Sequence, residues 1–452
     1  MQKTLYISLV LLLSAYMAKA QFMVEETGYS PTGVSNQGKV AGYLAQSGPW
    51  SIWLPDSAAT VDIGGTAPGN GAGGQSRFSY NGRYLCGTSM NNSLTEISRY
   101  DRTTGEWTSL GSLGFVLGTD MSGGYSISGD DSTVVGNSWA DTTGGFAFTH
   151  AVAWTQQHGI YDLGSLYDSI GRSTRANAVS YDGSVVVGWQ DFNGPWKSAV
   201  WRKNPAGGYF PNQYLVKDTT VSQYVDSNQL GECTAVSKDG KWIGGNGDYN
   251  NNNNPWLWSR DSGLINLGSL PNLGTGYVGG ISEDASIVVG WFDPQPIDFG
   301  NPTVPYIWTR ALGMMELNQY ITTVIGDSIG GHQITAATCI SPNGKYIAGY
   351  GINDSTSGLF AFRLSLPDGT TGVTTVVNNV DIKVYPNPST GFITIETPTK
   401  TTLTISSIDG KILSQTEISE KQVIDISKYA TGVYFLSFRT GDTVQTKKII
   451  KK

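Results

Sequence analysis

Cysteine is nearly absent: Cys86, Cys233 and Cys339 are three in 452 residues, an odd number with no two at metal-ligand spacing. That excludes a disulfide-stapled scaffold and a cysteine zinc site, and the three read as small buried hydrophobes. Charge is scarce as well, at 14% Asp, Glu, Lys and Arg where soluble domains carry ~25%. Histidine occurs three times. The one apolar run able to meet a membrane stands at the very start and falls short of the ~20 residues a spanning helix needs, so no membrane span is expected in the mature chain.

Glycine is plentiful, 58 of 452 residues against a usual ~7%, and 11% aromatic residues are spread along the chain. This is the composition of a turn-rich all-β protein and excludes disorder. Lys3, the apolar stretch from Leu5 to Ala15 and the small-x-small site Ala18-Lys19-Ala20 predict a signal peptide over 1–20, with the mature chain starting at Gln21. No cysteine follows the cleavage site, which argues against a lipoprotein. Ten basic against seven acidic residues from Asp381 onward, and two lysines in the leader, put −12 on residues 21–380 of a chain whose total is −7. A body that acidic disfavours nucleic acid, which requires clustered Lys and Arg.

The body repeats one unit seven times. The string Val179-Ser180-Tyr181-Asp182-Gly183-Ser184-Val185-Val186-Val187-Gly188 has relatives centred on Ser35, Ser79, Ser128, Ser237, Ser282 and Ser341. An aromatic anchor follows each serine: Trp53, Tyr100, Trp154, Trp201, Trp258, Trp308 and Phe362. A third marker comes next in six units: Ile63, Leu110, Leu163, Phe210, Leu267 or Leu317. Asn-Gly or Asp-Gly between short apolar runs signals a tight hairpin, because both turn residues tolerate positive φ. Ser-x-Asp-Gly therefore joins strand one to strand two, the anchor marks strand three, and the Leu-Gly string strand four. Units of ~40–60 residues with four short strands are blades of a β-propeller, here seven-bladed over 21–365. The first unit is one residue short, and the third has Asp131-Ser132 in place of Asp-Gly. The seventh lacks its fourth strand after Phe362, and Phe22 to Glu26 has the character to supply it, covering an edge that would otherwise aggregate. The pattern over about 28–365 resembles the extracellular HAF repeats, whose His-Ala-Phe string His150-Ala151-Val152 approximates; that resemblance implies an exported, propeller-like protein and brings no catalytic residues.

After a Thr-, Gly-, Val- and Asn-rich linker at 366–380 the pattern changes to period-two apolar alternation with turn residues between, the mark of a small Ig-like β-sandwich over 381–452. Tyr385-Pro386-Asn387-Pro388, Gly391, Gly410-Lys411, Gly432-Val433-Tyr434 and a terminal Lys-Ile string containing Lys448 appear in order. The segment resembles the type A sorting domain of the type IX secretion system. The resemblance implies transport by that machinery across the outer membrane of a Gram-negative bacterium. Removal of the domain by the processing sortase would follow, with release or attachment to surface lipopolysaccharide.

Chemistry is harder to find. Gly326-Asp327-Ser328-Ile329-Gly330 fits the G-x-S-x-G elbow with His332 beside it, but it lies between two repeats, and Asp168-Ser169-Ile170-Gly171 recurs at the corresponding connection. His150 and His158 have no partner at zinc spacing, and Asp248 with Asn250 to Asn254 lacks the spaced ligands of a calcium loop. No residue set requires a cofactor or a metal. What remains is one face of variable loops carrying Trp139, Phe146, Phe192, Tyr249, Phe292 and Phe299 beside Asp141, Asp191, Asp248, Asp293 and Asp298. Rings stack on sugar CH surfaces while carboxylates take hydroxyls, so this face is the expected site, with Trp139, Phe146, Asp191, Phe192, Tyr249, Phe292, Asp293 and Phe299 as its residues. Trp50 and Trp196 are weaker candidates for this face: each follows Gly-Pro, as Trp256 follows Asn-Pro, a recurrence that also fits repeat scaffolding. The leading reading is a secreted or surface-attached binding module for a glycan or a protein. Two rivals stand beside it: a propeller enzyme using paired carboxylates for glycoside chemistry, and a structural envelope protein.

Overall fold

The structure is a computed structural model, and it describes residues 22–69, 73–143, 146–192, 195–294, 302–367, 382–407, 412–440 and 443–452. The expected signal peptide and nearly all of the linker lie outside the described residues, as do Phe299, Gly410 and Lys411. The chain divides into two compact units, 1–371 and 372–452.

Within the first unit, the described residues form seven small antiparallel sheets in chain order. The first is Ser30–Val34, Val40–Tyr43, Trp50–Leu54 and Ala59–Gly64. The second is Tyr84–Asn91, Leu94–Asp101 and Glu106–Gly111, its inner strand reduced to a bridge between Phe78 and Leu85. The third is Ser122–Ile127, Thr133–Thr143, Phe146–Thr155 and Gly159–Gly164. The fourth has only Thr174–Val179, Val185–Gln190 and Lys197–Arg202. The fifth is Cys233–Val236, Ile243–Gly245, Trp256–Ser259 and Gly263–Asn266; the sixth is Leu273–Ile281, Ile287–Pro294, Val304–Thr309 and Gly313–Glu316. The seventh is His332–Ile340, Tyr346–Asn353 and Leu359–Ser365, with Phe22–Glu25 added to its outer edge. In the fourth repeat Phe210 is exposed, because the chain leaves the sheet there and Leu215 and Leu230 fill the core instead.

The serine turns explain this regularity. Ser180 Oγ donates to Asp182 Oδ1 at 2.9 Å, Asp182 Oδ1 accepts the Ser184 N–H, and Ser180 Oγ accepts the Val185 N–H, both at 3.0 Å. Gly183 closes the turn onto the Ser180 carbonyl at φ +71°, and a Cβ there would fall 2.3 Å from Thr133 Oγ1. The same relay holds at Ser79/Asn81, Ser128/Asp130, Ser237/Asp239, Ser282/Asp284 and Ser341/Asn343. Burial opposes the charge on Asp182, Asp239 and Asp284, yet hydroxyl and backbone donors hold all three below the usual carboxylate range. Neighbouring turns are bonded in sequence: Asn36 Nδ2 to Tyr80 O, Asn81 Nδ2 to Asp131 Oδ2, Asp130 N to Tyr181 O, Tyr181 N to Lys238 O, Lys238 N to Glu283 O and Glu283 N to Pro342 O. Asn343 N then donates to Asn36 Oδ1 at 2.9 Å, returning from the seventh turn to the first.

The expected cover of the last strand is present. Phe22 to Glu25 pair with Leu364 to Ala361, and Phe22 stacks on Phe362 at 5.8 Å. Arg363, nearly fully buried, bonds Asp56 and the Gly38 carbonyl, joining the seventh sheet to the first repeat. All three cysteines are free and buried, as the composition suggested; burial pushes the Cys86 and Cys339 thiols up to about 12.

The second unit has its own core of Ile393, Ile395, Leu403, Ile405, Leu436, Phe438 and neighbours. Where two facing sheets were expected, hydrogen bonding joins all five described strands through one long strand, Phe392–Ser407. Sixteen residues with a break in pairing between Thr397 and Thr401 let that strand serve Lys383–Tyr385 with one half and Gly432–Thr440 with the other. Val433 and Tyr434 lie in Gly432–Thr440, and Asn387, between Pro386 and Pro388, donates to the Lys448 carbonyl; Gly391 donates to Ser389 Oγ.

A mature chain beginning at Glu26 loses the strand that covers Leu359–Ser365. With about 1 kcal/mol net per backbone bond and the Phe22 and Val24 contacts gone, its stability should fall by more than ~3 kcal/mol in chemical denaturation. An unchanged midpoint would show that the edge pairing contributes nothing.

Candidate functional site

The first strands of all seven sheets line one cavity of about 150 Å³. Most of their residues are small or apolar, but from the third sheet to the sixth large polar and aromatic side chains replace them. Arg175, second in its strand, lies 4.5 Å from the Tyr125 ring and donates through Nε to Asn177 Oδ1 and through an Nη to Glu232 Oε1 at 3.2 Å. Asn177 Nδ2 reaches the same Glu232 oxygen at 2.7 Å, and Asn246 Nδ2 takes the other at 3.1 Å. Asn246 Oδ1 accepts the Val278 N–H, so one network ties the fourth, fifth and sixth sheets. Burial pushes the Glu232 carboxyl above its usual range in spite of Arg175 and the two amides, which pull it down.

Aromatic rings surround this network. Trp189, cross-strand from Arg175, stacks on Trp196 at 4.4 Å and 7°, and the guanidinium lies over both at 5.2 and 5.7 Å. Trp189 is buried and Trp196 is 45% exposed, so one indole is presented flat to solvent on a rigid backing. In the sixth sheet Tyr277 stacks on Trp291 at 5.5 Å, and its hydroxyl donates to Asp293 at 2.9 Å; burial and that carboxylate push the phenol up to about 12.

The residues expected from sequence are dispersed over four sheets. Asp293 joins this site through Tyr277. Phe292 does not: it is fully buried against Tyr306 at 5.3 Å, a correction to its place on the ligand face. Strand Ile287–Pro294 runs past it, so Trp291 and Phe292 point to opposite sides, and it is Trp291 that faces Tyr277. Asp191 lies 3.8 Å from Arg172, and Phe192 stacks on Tyr167 at 4.3 Å. Tyr249 is exposed, but its hydroxyl donates to Asp226 at 2.5 Å and its ring covers the buried Lys197, which Asp248 and Asp226 neutralise at 3.4 Å each. Trp139 is half-buried beside a break in the third sheet's ladder; the backbone of Phe146 belongs to the same sheet. Of the two weaker tryptophan candidates, Trp50 is buried and donates to the Thr88 carbonyl, whereas Trp196 stacks on Trp189 beside this network.

The remaining motifs are structural. The Gly326–Gly330 string follows a helical turn, Leu317–Tyr320 continued by Ile321–Ile325, where an elbow requires the helix after it; His332 bonds the Ile329 carbonyl and Glu26. His150 sits between Asp162 at 2.9 Å and Asp168 at 3.0 Å; burial works against its charge, but the two carboxylates raise its pKa overall.

Residues 383–452 match the family model described as a secretion system C-terminal sorting domain. The chain thus carries a type IX sorting domain, which implies contact with the secretion machinery and export to the surface or the extracellular space. No curated protein matches the chain. Among solved structures, an oligogalacturonate lyase from Vibrio parahaemolyticus shares 13% identity over 77% of this chain and 92% of its own, with a TM-score of 0.47. The β-propeller domain of the Trilobed protease from Pyrococcus furiosus shares 12% over 78% and 98%, at 0.45. Virginiamycin B lyase from Staphylococcus aureus shares 14% over 77% and 99%, at 0.42. Identities this low leave the chemistry of those proteins with them.

The opposite orientations of Trp291 and Phe292 predict opposite effects. Phe292→Ala should cost ~3–5 kcal/mol of stability, whereas Trp291→Ala should cost on the order of 1–2 kcal/mol. Equal losses in thermal or urea unfolding would contradict the assigned strand register.

Proposed function

We propose that the body is a seven-bladed β-propeller of HAF-like repeats, exported through its C-terminal domain, that binds a glycan at the inner edge of its third to sixth sheets. The observation that carries this reading is the Trp189–Trp196 stack beside Arg175 and Tyr125, which offers an exposed indole face with amide and carboxylate groups close by. Sugar CH surfaces stack on such a face, and hydroxyls find acceptors at its rim. The seven-blade reading rests on seven successive sheets whose first strands share one cavity and whose turns bond from the seventh back to the first.

Binding is favoured over glycoside chemistry by the state of the carboxylates. Glu232 has both oxygens engaged by Asn177, Arg175 and Asn246, and Asp293 accepts from Tyr277. Carboxyl groups so occupied orient neighbours and leave little free to protonate a leaving oxygen or attack an anomeric carbon.

A glycan and protein screen with the mature protein tests the reading. Stacking on an exposed ring contributes on the order of 1 kcal/mol, so Trp196→Ala should weaken binding several-fold with the fold intact, and affinity should vary little between low and moderate salt. A polyanionic ligand with steep salt dependence, or undiminished binding by that variant, overturns it.

The export reading includes removal of the sorting domain. In the native host, truncation after Asn379 should leave a folded body in the periplasm, while the full chain should reach the surface or medium without residues of the domain. Surface delivery of the truncated form would refute it.

A further inference from the structure

The cavity lined by the first strands holds a cation that the described residues leave without a hydrogen-bond partner. Arg77 lies in the reduced inner strand of the second repeat, its stem packed against Gly33, where an added Cβ would fall 3.4 Å from Arg77 Cγ. By contrast, Arg363 is engaged by Asp56 and the Gly38 carbonyl, and Arg175 by Asn177 and Glu232. The guanidinium carries five N–H donors, and the cavity it lines has small residues such as Gly33, Ala178, Ala235 and Gly279 in its walls, with Lys238 and Glu283 on the turn side. Burial presses the pKa of Arg77 down, and the charge of Arg175 acts in the same direction.

Aromatic and charged side chains line the turn side of the cavity. Tyr80 meets Tyr181 edge-on at 5.4 Å, and Lys238 Nζ lies over both rings at 4.2 and 5.1 Å, its own charge met by Glu283 at 3.3 Å. A volume of about 150 Å³ accommodates a halide or a short carboxylate. We infer that the central cavity is a binding site for one small anion, a halide or a short-chain carboxylate, held by the Arg77 guanidinium. The planar fork suits a carboxylate bidentately and accepts a halide between two N–H groups. This site is separate from the surface proposed for the glycan, and neither depends on the other.

Thermal unfolding of the mature full chain at fixed ionic strength tests it, with a bulky sulfonate progressively replaced by bromide in one series and acetate in another. The melting temperature of the parent should rise saturably, by several degrees, in at least one series, while Arg77→Met should show no saturable rise. Saturation by acetate alone identifies the carboxylate form of the site, and saturation by bromide identifies the halide form. If Arg77→Met does not fold, crystals of the parent soaked in bromide or acetate decide, by a bound ion within hydrogen-bond distance of the guanidinium. No saturable response in the parent, an equal response in a folded Arg77→Met, or a soaked crystal with nothing at Arg77 overturns the inference.

Discussion

A short turn with a buried serine sets the geometry of the body. In the second to seventh repeats its hydroxyl donates to an Asp or Asn two residues on and accepts a backbone N–H five residues on, so one side chain satisfies polar groups that would otherwise be stranded at the inner end of the sheet. The same turns bond their neighbours through backbone N–H and C=O groups or Asn side chains, which fixes the spacing of adjacent sheets where they crowd most closely. Glycine is required at Gly183 by both a positive φ and the Thr133 hydroxyl; Asp131 and Ala285 take the left-handed conformation in the third and sixth turns and carry its steric cost.

Fixing one end of every sheet leaves the other end free to vary. Strand one of most repeats carries small or apolar residues, because inner strands pack within van der Waals reach of one another; a Cβ on Gly279 would meet the Ala337 carbonyl at 2.3 Å. The fourth to sixth repeats depart from this with Arg175, Asn177, Glu232 and Tyr277. A charge placed there is costly unless paired, and the Arg175–Glu232 pair with its two asparagines offsets that cost. The same pairing holds the guanidinium over Trp189 and Trp196 and so makes the indole stack rigid.

The C-terminal unit has a separate core built from alternating isoleucine, leucine and phenylalanine, and its basic balance contrasts with the acidic body. A segment that buries its own apolar face forms a compact unit with a core separate from that of the first.

Repeat length, turn chemistry, strand order and the covering role of Phe22 to Glu25 were legible in the sequence, because each depends on local signals: Ser-x-Asp-Gly fixes a hairpin through its own side chains, and a missing fourth strand can be counted. The sorting segment was legible for the same reason, as ordered motifs. The site was not. Trp189 and Trp291 both follow the glycine of a Val-Val-Gly string and look like scaffolding, and Trp196 shares its Gly-Pro prefix with the buried Trp50. Phe292 was misplaced because side chains alternate along a strand: extending that strand by a few residues turns an expected loop aromatic into core. Arg77 and Arg175 stand at strand-one positions where most repeats carry small or apolar residues, and that departure is itself visible in the sequence. What only the tertiary structure decided is which of these side chains meet, since Arg175 and Glu232, or Arg77 and the cavity wall, come from different repeats and are brought together by the packing of one sheet's inner edge on the next.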